Sequence, residues 1–113
     1  MNLPSAIIRE RNDDKIVLDF VVAHDDEAFH GHFPERPILP GVVQVDWAMR
    51  LATLHLNLGD LFAQDIQIKF REVIAPEVPL TLTVQIDRAK SKLTFSYCSG
   101  DTTMSSGQIR LGL

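Results

Sequence analysis

The chain has 113 residues, enough for one packed core and too few for two domains, so residues 1–113 are expected to fold as a single unit. A hydrophobic share of 45% and a charged share of 23% are those of an ordinary globular protein. The net charge of −4 argues against nucleic-acid binding, which requires a clustered basic excess.

From the N-terminus, Met1 to Lys15 contains no apolar core of the kind a secretory leader needs, and no later run approaches the ~20 apolar residues of a membrane helix. A cytoplasmic protein with no membrane partner is the expectation. Ser5 to Arg11 reads as a short edge strand ending at the turn-prone Asn12-Asp13-Asp14. Lys15 to Ala23 reads as a second strand, with Ile16, Leu18, Phe20 and Val22 on one face and Val17 and Val21 on the other, a pattern that predicts burial on both sides. Asp25 to Pro40 has no clean period and contains prolines, a glycine and two histidines, as a functional loop does.

A helix is predicted over Gly41 to Leu58, with Pro40 suited to its start and Gly59 to its stop. Its apolar arc covers nearly the whole circumference, broken by Gln44, Asp46, Arg50, Thr53, His55 and Asn57, so a buried helix wrapped by a sheet is expected. The remaining segments alternate as strands: Ile66 to Phe70, Leu80 to Asp87, Leu93 to Tyr97 and about Thr103 to Leu111. Short connections suggest an antiparallel meander. Cys98, the lone cysteine, cannot form an internal disulfide, suits a reducing compartment and is expected to be a small buried strand residue.

Chemistry concentrates in Phe29 to Gly41 and in Asp46, five residues beyond that glycine. His32 sits in a loop stiffened by Pro34 and Pro37, which limits the freedom of its ring. Gly41 opens the helix, where backbone N–H groups lack intrahelical partners and the dipole is positive. Asp46 stands among Val42, Val43, Val45, Trp47 and Met49, so its carboxyl should be paired or perturbed. An imidazole base, an N–H donor for a developing enolate oxygen and an acid for a departing hydroxide together fit elimination of water next to a thioester. Gly41 and Asp46 are separated by about 7.5 Å of helical rise, the scale of one short acyl unit.

The spaced run Gly31-His32-Phe33-Pro34-x-x-Pro37-x-x-Pro40-Gly41, with an acid fourteen residues after His32, closely resembles the bacterial β-hydroxyacyl-acyl-carrier-protein dehydratases of fatty-acid synthesis. Lys69-Phe70-Arg71 and the strands after it extend the likeness over about Lys15 to Leu111. The resemblance implies an α+β hotdog fold, a curved antiparallel sheet of about six strands around one long central helix. It implies a homodimer or an assembly of dimers in which His32 is the base and Asp46, from the opposite subunit, the acid. The Gly41 amide, with that of Val42, would polarise the thioester carbonyl, and Phe33 would lie beside the substrate. No cofactor and no metal are implied, and an acyl-carrier protein would deliver the β-hydroxyacyl chain that leaves as a trans-2-enoyl thioester.

Three departures from the family qualify this reading. The acid is Asp, as in the branch that also isomerises medium-chain enoyl products, although that alone does not establish an isomerase. The short chain is more like the compact stand-alone dehydratases of specialised pathways such as aryl-polyene assembly. One turn after the acid the family's usual Gln is replaced by Arg50, a cation that favours an ionised Asp46 and opposes proton donation. Either Arg50 turns away or Asp46 orients the hydroxyl or a water.

Other readings compete with these. His24, His30 and His32 lack the spacing of a metal site. Asp46 could be a structural partner of Arg50, Trp47 core or dimer packing, and His55 a solvated residue. Arg88, Lys90 and Lys92 recur at every second residue, either as a solvated face or, as the resemblance implies, as the docking site for an acidic carrier protein. A hotdog thioesterase and a non-catalytic partner subunit of another dehydratase are the competing functions.

Overall fold

The computed structural model describes residues 1–30 and 36–113. In chain order the elements are strands β1 (Ile7–Arg11) and β2 (Lys15–Val21), a 3-10 turn (Glu27–Phe29), helix α1 (Gly41–His55), then strands β3 (Phe62–Phe70), β4 (Pro79–Asp87), β5 (Lys92–Ser99) and β6 (Thr102–Gly112). The six strands form one antiparallel sheet in the order β1-β2-β4-β5-β6-β3. With the single helix lying across it, this is the hotdog arrangement expected from the sequence.

Period-two patterning explains which sheet face meets the helix. Leu80, Leu82, Val84 and Ile86 of β4, and Leu93, Phe95 and Tyr97 of β5, are buried against Val43, Trp47, Ala48, Leu51 and Ala52 of α1. Phe20 meets Trp47 edge-on with ring centroids 6.1 Å apart, and Tyr97 at 6.4 Å, so an aromatic cluster joins β2, β5 and the helix. Trp47 is therefore core, while Cys98 is half-buried on β5.

Four expectations need correction. Strands β4, β5 and β6 form a meander, but β3 does not join it at β4. Residues 71–78 cross the end of the sheet and place β3 beside β6, where Ile66 faces Ile109 and Phe70 faces Ser105. Second, β2 is buried on both faces only at Val17, because Val21 lies 48% exposed. Third, α1 ends at His55 rather than Leu58. Asn57 adopts φ +52°, a left-handed conformation that breaks the helix before Gly59 is reached. Fourth, one sheet covers one side of the helix only, which leaves Val42 75% and Leu54 65% exposed on the other.

Edge strand β3 has a similar excess of exposed apolar residues, with Phe62, Ile66 and Phe70 each about half exposed. Among the described residues no helix is long and apolar enough to cross a membrane.

Candidate active site

The first turn of α1 is the natural place to begin. Pro40 is its N-cap, with φ −62° and ψ 146° and no side-chain cap. The amides of Val43 and Gln44 both bond the Pro40 carbonyl at 3.1 Å. The amides of Gly41 and Val42 are thus the donors of the first turn left without a helical acceptor. A Cβ at Gly41 would fall into the outer edge of the Phe70 ring, 2.9 Å from Cε1, so the half-exposed ring would have to shift to admit one.

Beside Gly41 opens a groove of about 430 Å³, lined by Ile38, Leu39, Gly41, Gln44, Phe70 and Val73 among others. Its walls are mainly apolar, with Arg71 and Glu72 as the charged members of the lining. The loop entering the helix is fixed on its far side by the Leu39 amide, which donates to the Ile74 carbonyl at 2.8 Å.

Asp46 lies further along the exposed side of the helix, its side chain 47% exposed. The paired alternative holds. Arg50 does not turn away, because its guanidinium lies 3.2 Å from Asp46 Oδ2 and also donates to the Met1 carbonyl. His32 and Phe33, expected beside the substrate, lie outside the described residues. The flanks of that segment are well anchored. Phe29 and Leu39 are both core residues, and the 3-10 turn holding Phe29 is capped by Asp26, whose carboxylate accepts from the Ala28 amide at 2.8 Å.

Among the other histidines, His24 is committed to Glu77. The Glu77 carboxylate accepts from the His24 backbone amide at 3.0 Å and meets its Nδ1 at 3.1 Å. The bond to Glu77 raises the imidazole's pKa, helped by the charge of Asp25, and His24 holds the Glu77 carboxyl below its ordinary value. His55 is shifted the other way, lowered first by burial and then by Arg11. Among the described residues no cluster has the makings of a metal site.

The basic stripe divides by role. Arg88 donates to the Asp14 carboxylate at 2.9 Å and to the Asp13 and Leu56 carbonyls at 2.7 Å, with a longer bond of 3.4 Å to Asn57. It therefore caps the helix C-terminus and ties it to the β1–β2 turn. Lys90 and Lys92 follow in the β4–β5 turn and at the start of β5, away from the groove at Gly41.

Gln44 is the residue that sequence reasoning passed over. It is only 3% exposed, and its side chain donates to the Leu39 carbonyl at 3.0 Å while accepting from the Ser105 hydroxyl at 2.6 Å. The Tyr97 hydroxyl donates to the Gln44 backbone carbonyl at 2.7 Å. A signal existed, since Gln44 falls on the same face as Trp47, Ala48 and Leu51 by helical spacing.

Comparison with known proteins gives concordant matches. Residues 8–108 match the ApeI-like family, described as ApeI dehydratase. The dehydratase heterocomplex ApeI:P from Xenorhabdus doucetiae is similar with a TM-score of 0.91 and 33% identity, covering 100% of both chains. An uncharacterized protein from Erwinia carotovora subsp. atroseptica is similar with a TM-score of 0.82 and 37% identity, covering 98% of this chain and 97% of that one. The 3-hydroxyacyl-acyl-carrier-protein dehydratase FabZ of Oenococcus oeni is 31% identical over 87 residues, which are 71% of this chain and 63% of that relative's length.

Proposed function

Because the chain belongs to the ApeI-like dehydratase family, we propose that it removes water from a β-hydroxyacyl thioester carried on an acyl-carrier protein, leaving the trans-2-enoyl thioester. The observation that carries this reading is the start of α1. Two amides without helical acceptors, those of Gly41 and Val42, stand beside a mainly apolar groove, and a carboxylate lies on the same helix. In the proposed reaction the thioester carbonyl accepts from the Gly41 amide, aided by that of Val42. His32 takes the proton from the α-carbon, the C–O bond at the β-carbon breaks, and the oxygen departs as water on receiving that same proton back from the His32 imidazolium. Asp46, its Oδ2 held 3.2 Å from the Arg50 guanidinium, orients the departing hydroxyl or a water.

The same reading makes the working unit a pair of hotdog chains with His32 and Asp46 drawn from opposite subunits. Support comes from the uncovered apolar surface, at Val42 and Leu54 on the helix and Phe62, Ile66 and Phe70 on β3. The similar Xenorhabdus protein is a dehydratase heterocomplex, which favours a second reading in which the other subunit is a different hotdog chain. Lys90 and Lys92 remain the proposed carrier-docking pair, since Arg88 is engaged within the fold. A cytoplasmic setting belongs to the proposal and is supported by the single unpaired thiol.

Incubation with a β-hydroxyacyl thioester on its carrier, followed by mass spectrometry, tests the reading. Loss of one water is the expected result. Freed carrier would replace dehydration with thioester hydrolysis, and unchanged substrate would make this chain a partner subunit.

A further inference from the structure

We propose that Gln44 is a positioning residue, which sets the axial and rotational register of α1 and through it the direction of the Gly41 amide. The proposal rests on the dehydratase reading for its consequence, but not for its geometry.

The buried face of α1 is otherwise apolar: Val43, Trp47, Ala48, Leu51 and Ala52. Apolar burial is non-directional, so packing of this kind holds the helix against the sheet more firmly than it fixes sliding or rolling. Hydrogen bonds have direction, and Gln44 gathers three that reach three different parts of the fold. Its Nε2 holds the Leu39 carbonyl in the entering loop, its Oε1 accepts from Ser105 on β6, and its backbone carbonyl accepts from Tyr97 on β5. Tyr97 is a dependable donor, because burial, and secondarily the charge of Asp46, pushes its pKa far above the ordinary value.

The Leu39 bond reaches the site most directly. With its amide on Ile74 and its carbonyl on Gln44, Leu39 is held from both sides, and Pro40 follows with its φ fixed by its ring. The next amide in the chain is that of Gly41. Gln44 also forms part of the groove wall at that point. A small error in placing a carbonyl-polarising amide can cost catalysis far more than it costs stability.

Two variants separate positioning from packing. Gln44→Leu leaves the Ser105 hydroxyl and the Leu39 carbonyl unpaired, so it should lower the melting temperature and kcat together. Adding Ser105→Ala removes one of the orphaned groups and should return much of the lost melting temperature. The expected result is that kcat of the double variant stays at least about tenfold below wild type while KM moves less than about twofold. In parallel, nuclear magnetic resonance should find displaced Gly41 and Val42 amide signals, and exchange at least about tenfold faster at the Leu39 and Val43 amides. If Gln44→Leu fails to fold, Ser105→Ala alone provides the same readouts, with about a threefold fall in kcat expected. Recovery of wild-type kcat with melting temperature, or unchanged amide signals and exchange, overturns the proposal. A wild-type protein that dehydrates nothing refutes the proposed function instead, and the amide measurements then decide the role of Gln44 alone.

Discussion

The two ends of helix α1 are treated in opposite ways. At the C-terminal end the protein satisfies its own backbone: Arg88 covers the Leu56 carbonyl, reaches that of Asn57 and fastens both to the Asp13-Asp14 turn. At the N-terminal end the N-cap is Pro40, no side chain among the described residues caps the helix, and a glycine stands against the Phe70 ring beside an open groove. A helix end costs free energy when its polar groups go without partners. In the proposed function, closing one end with the chain's own cation and leaving the other for the thioester separates the job of holding the fold from the job of binding.

The largest expected effect tests the open end. His32→Ala should lower turnover by about 10²–10⁴-fold, the range of a positioned acid–base group, with the melting temperature unchanged. Steady-state kinetics beside a thermal melt checks it, and a wild-type rate would remove His32 from the reaction. Next comes Gly41→Ala, which drives a methyl into Phe70. A loss of about 10–100-fold in kcat is expected, together with a modest loss of stability. Partial recovery in Gly41→Ala with Phe70→Leu would show that the ring contact is the cause.

The closed end should respond in the opposite sense. Arg88→Met should destabilise by about 1–2 kcal/mol in a denaturant titration, because several backbone and carboxylate partners lose a donor that is itself partly exposed. Turnover per folded molecule should not change. A selective loss of kcat on carrier-bound substrate, with stability intact, would instead give Arg88 a docking role.

The smallest effect belongs to a tie that titrates. His24 and Glu77 join the end of β2 to the crossing segment whose Ile74 carbonyl holds Leu39. The His24 contribution is complete below its ordinary value of 6.5 and disappears as pH rises through its raised value. The Glu77 contribution is complete above 4.5 and disappears as pH falls through its lowered value. The tie therefore acts between those limits. A resonance titration of His24 should give a midpoint above 6.5, and Glu77→Gln should bring it down.

What the sequence made legible follows from what periodicity and turn chemistry encode. Alternation in Leu80 to Asp87 and Leu93 to Tyr97 located β4 and β5, and Pro40-Gly41 located the helix start within a residue. The path of β3 was not legible, because alternation gives a strand's faces and not its neighbour. Arg88 read as a member of a surface stripe, since its acceptors lie on segments remote in the chain. Gln44 read as an interruption of an apolar arc, because its partners Ser105 and Tyr97 are more than fifty residues away. Asp46 and Arg50 were the reverse case: a spacing of four on a helix brought the pair together by local geometry alone.

The placement of β3 also bears on how the protein is made. Its ladder partner is β6, so residues 62–70 have no backbone to pair with until residues 102–112 have been synthesised. Phe70, which packs on Gly41 and walls the groove, belongs to that waiting strand. On the ribosome the helix and β1-β2 emerge well before the groove can close, and β3 remains an exposed apolar edge in the interval. The groove is thus among the last features to form, and a chain that stalled before β6 would carry the whole spaced motif around His32 without a groove beside it.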